Sequence, residues 1–81
     1  MIIGVPKEIK PDENRVSLPP DKVEVLVSDG HKVLVEAGAG QGSRFSDDTY
    51  LYGAGATIVS DPAEIYGMAE LIVKVKEPQP N

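Results

Sequence analysis

The sequence predicts an α/β fold. Its elements run β-α-β-α-β-α-β as a parallel sheet, a Rossmann-like or flavodoxin-like three-layer fragment of a larger domain. Three observations predict this. Four short, β-branched apolar runs recur along the chain. Segments with helix-start chemistry lie between them. The first three runs are nearly continuous hydrophobics, the pattern of strands covered on both faces. Such alternation calls for crossover connections, hence parallel strands with helices on the faces of the sheet.

Ile2-Ile3-Gly4-Val5 is the first strand. A long loop, Pro6 to Leu18, follows it. Pro19-Pro20-Asp21 then opens a helix, because proline suits the first turn and aspartate the positive end of the helix dipole. Val23, Leu26 and Val27 supply its apolar stripe, and Gly30 suits a left-handed C-terminal position. Val23, Val25 and Val27 also alternate, so a β-hairpin turning at Ser28-Asp29-Gly30 is the rival reading. His31 to Ala37 is the second strand. Ser46-Asp47-Asp48 caps a second helix, with Ser46 accepting from first-turn amides and Gly53 or Gly55 ending it. Tyr50 and Leu51 are its inward candidates, with Ala54 one turn beyond Tyr50. Ala56 to Val59 is the third strand. Ser60-Asp61-Pro62 starts a third helix whose buried stripe is Ile65, Met68 and Ala69. Leu71 to Lys76 is the fourth strand, and its alternation of Val73 and Val75 with Lys74 and Lys76 suggests an end open to solvent or to a site. The proline-rich segment from Glu77 to Asn81 reads as a loop leaving that strand.

Composition narrows the function. The 81 residues carry 8 Lys and Arg against 13 Asp and Glu, a net charge of −5. A chain of this size buries roughly 60% of the surface its unfolded form exposes, so it holds one small core. A full two-domain dehydrogenase does not fit within it. The acidic balance opposes nonspecific nucleic-acid binding, which needs a basic face. No apolar run approaches the roughly 18 residues of a membrane span. Without cysteine there is no disulfide and no thiolate chemistry, and a single histidine, His31, leaves no His-based metal site or triad.

Few residues remain for chemistry. The run Gly38-Ala39-Gly40-Gln41-Gly42-Ser43 resembles a phosphate-binding loop, but its third glycine comes one residue too early for G-x-G-x-x-G. Apart from Arg44, no cation is near it, so a structural turn is the better reading. Arg15 lies in the loop after the first strand, at the carboxyl edge of a parallel sheet, where open α/β folds bind ligands. Its guanidinium matches a carboxylate, although a surface pair with Glu8, Asp12 or Glu13 would explain it too. Lys74 and Lys76 end the fourth strand on the same edge and share a face. Two cations converging on one anionic site is a sharper hypothesis than two solvated side chains. His31, at the opposite edge, reads as a surface residue. Asp47, Asp48 and Asp61 read as helix-start residues, and Tyr50, Tyr52 and Tyr66 as packing residues.

Taken together, Gly4-Val5-Pro6-Lys7-Glu8, Glu13-Asn14-Arg15-Val16, Glu36-Ala37-Gly38-Ala39-Gly40 and Lys74-Val75-Lys76-Glu77-Pro78 resemble the alanine dehydrogenase family, which includes the transhydrogenase α-subunits. The likeness spans residues 1–81 as the N-terminal part of that family's substrate domain, with the NAD-binding domain absent. It implies reversible oxidation of L-alanine with NAD to pyruvate, ammonia and NADH, in the cytoplasm. Arg15 matches the arginine that grips the substrate carboxylate. Lys76 matches the lysine that hydrogen-bonds the substrate carboxylate or carbonyl oxygen. The catalytic His and Asp and the G-x-G-x-x-G have no counterpart here, so these residues are expected to be inactive alone and to bind no cofactor. Two rivals stand beside this reading. One is a transhydrogenase α-subunit, whose pattern lacks the second lysine. The other is a non-catalytic module that forms a homo-oligomer through its open sheet edges.

Overall fold

The four apolar runs fold into the four strands of one parallel sheet. In the computed structural model, which describes residues 1–7, 18–40 and 45–73, these are β1 (Ile2–Val5), β2 (Lys32–Glu36), β3 (Thr57–Val59) and β4 (Leu71–Ile72). Their order is β3-β2-β1-β4, and every pairing is parallel. β1 keeps the bounds read from the sequence, while β2 is trimmed by one residue at each end and β3 by one residue at its start. β4 is shorter than expected within the described residues, although the Val73 amide still donates to the Gly4 carbonyl at 2.9 Å.

The sheet separates two apolar layers because successive strand residues face opposite sides. Ile3, Val5, Val33 and Val35 face one side, packed with Val23, Tyr50, Ala54 and Ala56. Leu34, Val59 and Ile65 form the other cluster, with Ile2, Ala69 and Ile72 against it. The helix α1 (Pro20–Ser28) and a π-helical segment (Thr49–Gly53) cover the first side, and α2 (Pro62–Met68) contributes Ile65 to the second. This is the expected three-layer α/β arrangement.

The segment after Pro19 is a helix and not a hairpin strand. Pro20 occupies its first turn, and the Lys22 and Val23 amides both donate to the Pro19 carbonyl. It stops at Gly30, which has φ 95°. There the Gly30 amide donates to Val27 and the His31 amide to Leu26, a Schellman closure that satisfies the last carbonyls. Val23 is fully buried and Leu26 and Val27 pack against the core, whereas Val25 faces outward at 55% exposure. That outward valine is what made the hairpin alternation plausible.

The second helix differs from expectation in kind. Ser46 does cap it, with Oγ accepting from the Thr49 amide at 3.2 Å. The chain then widens, and the Ala54 amide reaches back to the Thr49 carbonyl, an i→i+5 bond. Tyr50 and Ala54 both lie in the core, and Leu51 and Tyr52 stay outside. Only Tyr50 is therefore the packing residue expected of the three tyrosines. Tyr52 is 80% exposed and Tyr66, on the outer side of α2, is 54% exposed. Met68 also faces outward, so Ile65 and Ala69 alone remain of that helix's expected stripe. A helix this short buries a single narrow face against one sheet.

Candidate functional site

Strand order selects the edge of the sheet at which a ligand would sit. The chain moves from β1 outward through β2 to β3, then returns to place β4 on the far side of β1. The direction of winding therefore reverses between β1 and β4. In open α/β sheets such a reversal splays the connections apart and leaves a crevice outside the carboxyl ends of the strands. β1 leaves this edge through Pro6 and Lys7 toward residues 8–17, and β4 leaves it through Val73 toward residues 74–81. The two exits are neighbours, since Gly4 is in register with Ile72. Arg15, Lys74 and Lys76 themselves lie outside the described residues.

The described floor of this edge is built from the ends of β1 and β2. Pro6 is buried and Lys7 exposed. The Lys7 amide donates to Glu36 Oε1 at 2.8 Å, so the last residue of β2 holds the residue that precedes positions 8–17. Leu18, which follows those positions, is held as well, because Tyr50 Oη donates to its carbonyl at 2.9 Å. The Tyr50 side chain is fully buried, and burial pushes its hydroxyl up to about 12. It stays a neutral hydrogen-bond donor across the physiological range. Neither Glu36 nor Tyr50 stood out as part of a site in the sequence; the only local signal was their placement on either side of the glycine run.

That glycine run is a structural turn over its described part. Gly38 has φ 82°, and its amide donates to Asp47 Oδ1 at 2.8 Å. The Ala39 amide is taken by the Glu36 carbonyl. A side chain on Gly40 would stand 2.7 Å from Tyr50 Cε2 and 2.8 Å from the Phe45 carbonyl oxygen. A dinucleotide phosphate needs free amides and open space at such a loop. Here a carboxylate occupies the Gly38 amide and an aromatic ring fills the space at Gly40, so these residues do not fit the cofactor. Gly42 and Arg44 lie outside the described residues.

The remaining candidates have structural duties or none. Asp61 Oδ1 accepts from the Ala63 amide at 2.9 Å and so caps α2, as its position before Pro62 suggested. Asp47 does something the sequence did not suggest, bracing the turn at Gly38. Asp48 is exposed and makes no side-chain cap. His31 lies at the amino edge, as expected, but is half-buried, and its Nδ1 is enclosed with no partner. Among the described residues no group of three His, Cys, Asp or Glu side chains stands where it could hold a metal ion. No helix among them is long and apolar enough to cross a membrane.

The family model described as "Alanine dehydrogenase/PNT, N-terminal domain" matches residues 4–81. The chain belongs to this family. The alanine dehydrogenase of Bacillus subtilis is 58% identical over 80 residues, covering 99% of this chain and 21% of that protein. The alanine dehydrogenase of Methanococcus maripaludis is 54% identical over 78 residues, covering 96% of this chain and 21% of its own length. Among solved structures, an L-alanine dehydrogenase superposes with a TM-score of 0.88 at 49% identity, covering 99% of this chain and 22% of that chain. A transhydrogenase from Sinorhizobium meliloti superposes with a TM-score of 0.84 at 40% identity, over 98% of this chain and 23% of the other. The chain thus spans about a fifth of the length of the curated relatives it matches. Membership of the alanine dehydrogenase/PNT family agrees with the resemblance carried by the Glu-Asn-Arg-Val and Lys-Val-Lys-Glu-Pro segments.

Proposed function

We propose that this chain is the N-terminal part of the substrate domain of an NAD-dependent alanine dehydrogenase, and that Arg15 and Lys76 hold the carboxylate of alanine or pyruvate. One observation carries the reading. The segments that bear the two cations leave the sheet from adjacent strands, β1 and β4, at the point where the winding reverses. A guanidinium and an ammonium brought to one edge form a two-point clamp for a carboxylate. Such a clamp fixes the orientation of the substrate α-carbon, which is a large share of what an enzyme contributes to a transfer between bound reactants.

On this reading the nicotinamide cofactor is held elsewhere in the enzyme, since Asp47 takes the Gly38 amide and the Tyr50 ring lies against Gly40. These residues alone are accordingly inert with L-alanine and NAD, in keeping with the lack of a second histidine to serve as acid and base. The net charge of −5 makes local convergence of the two cations the source of attraction for an anionic substrate. The cytoplasm is the location that fits this reading.

The test is steady-state kinetics of the full-length enzyme with Arg15→Ala and Lys76→Ala. Loss of a charge-assisted hydrogen bond raises the KM for pyruvate about 10- to 100-fold. Unchanged pyruvate KM in both variants would overturn the assignment. The transhydrogenase likeness supports a second reading, in which the same fold handles nicotinamide nucleotides without amino-acid chemistry. Alanine-dependent reduction of NAD by the full-length protein separates the two.

A further inference from the structure

We propose that Glu36 and Tyr50 are positioning residues for the segment that carries Arg15, fixing it at its two ends. The inference rests on the reading of Arg15 as a carboxylate-binding residue. Glu36 Oε1 accepts from the Lys7 amide at 2.8 Å, just before the segment begins. Tyr50 Oη donates to the Leu18 carbonyl at 2.9 Å, just after it ends. These contacts bracket residues 8–17, and neither involves the segment's own side chains.

Both anchors are rooted in rigid structure. Glu36 ends β2, where it is in register with Val59, and the next amide, that of Ala37, donates to the Val59 carbonyl at 2.8 Å. Tyr50 is fully buried, its ring against Gly40 and edge-on to Phe45 with centroids 6.4 Å apart. Gly40 thus gives the ring its place, and the ring gives the hydroxyl its aim. The segment is long enough that its ends, if free, would lose considerable entropy each time a side chain on it was ordered by a ligand. Tying both ends to the core makes that loss part of folding and leaves less of it to substrate binding. The arrangement also accounts for a carboxylate at an edge that receives an anion. Glu36 is engaged by a backbone amide there, and without that role its charge would only oppose the substrate.

The experiment uses the full-length enzyme, with pyruvate KM, kcat and the Kd for NADH measured for Tyr50→Phe, Glu36→Ala, Glu36→Gln and Arg15→Ala. Tyr50→Phe keeps the ring and removes the hydroxyl. Tyr50→Phe and Glu36→Ala are expected to raise the pyruvate KM about three- to tenfold while the NADH Kd stays constant. Glu36→Gln keeps an oxygen acceptor for the Lys7 amide and restores most of what Glu36→Ala loses. A pyruvate KM that stays unchanged in both Tyr50→Phe and Glu36→Ala overturns the inference. So does parallel weakening of pyruvate and NADH, which marks general destabilisation. Should Tyr50→Phe fail to fold, the comparison of Glu36→Ala with Glu36→Gln decides the matter. Arg15→Ala separates the two levels. If it raises the KM while the anchor variants do not, only the anchoring role falls. If it leaves the KM unchanged, the carboxylate reading falls and the anchoring role with it.

Discussion

Gly4 and Ile65 occupy space that admits no side chain between them. A methyl group on Gly4 would stand 2.5 Å from Ile65 Cγ2, 2.9 Å from Ala69 Cβ and 3.0 Å from Ile72 Cδ1. The glycine in β1 therefore lets α2 lie close on the sheet, and the return of the chain to β4 depends on that close approach.

Gly4→Ala is expected to destabilise the fold by about 1–3 kcal/mol, the usual range for overpacking a tight core. Ile65→Ala costs stability alone by leaving a cavity, but it also removes the Cγ2 that Gly4→Ala would strike. The double variant is thus expected to lose less than the sum of the two single losses. Denaturant unfolding of the four species checks this, and strict additivity would refute it.

Tyr50 makes stability fall in alkali. Its hydroxyl is held up to about 12 by burial, above the ordinary value of 10.0. Below the ordinary value both folded and unfolded chains keep the proton, so the buried neutral tyrosine contributes fully. Between the two values the unfolded chain releases the proton while the folded chain retains it, and stability drops by up to about 1.4 kcal/mol per pH unit. Unfolding free energies measured on both sides of pH 10 should show a steeper decline for the parent than for Tyr50→Phe. Equal slopes would show that the hydroxyl ionises as readily in the fold as outside it.

Asp47 braces the turn at Gly38, whose amide it accepts at 2.8 Å. Asp47→Ala strands that part-buried amide and is expected to cost about 1–3 kcal/mol. Asp47→Asn keeps a carbonyl acceptor and should recover much of the loss. Thermal and chemical unfolding of both variants provide the measurement.

Asp61→Ala removes the cap of α2, with an expected loss of about 1 kcal/mol. Asp61→Ser, which keeps an oxygen in reach of the Ala63 amide, should lose less. Equal losses in the two variants would show that the cap contributes nothing.

Much of the fold was legible in the residues. The four apolar runs, Pro20 at a helix start, Gly30 at its end and Asp61 before Pro62 all act over a few neighbouring positions, and each has the role its chemistry dictates. The described part of the glycine run, Gly38 to Gly40, was legible as a turn for the same reason. The π-helical segment was not, since α and π turns share their capping signal at Ser46 and differ only in which carbonyl the Ala54 amide finds. Nor did the pattern distinguish inward Tyr50 from outward Tyr52 and Tyr66, because a tyrosine suits a core and a wet surface about equally.

By itself, then, the sequence determined the fold class, the four strands and α2, and Arg15 and Lys76 are the two cations to which the proposed function assigns a carboxylate. Only the tertiary structure decided the order β3-β2-β1-β4, which makes β1 and β4 neighbours and their exits adjacent. It alone joined Glu36 to Lys7 and Tyr50 to Leu18. The physical reason is one of range. Capping, turn and strand signals arise between residues close in the chain, whereas strand order and long-range hydrogen bonds depend on which apolar faces cover one another once the whole chain has packed.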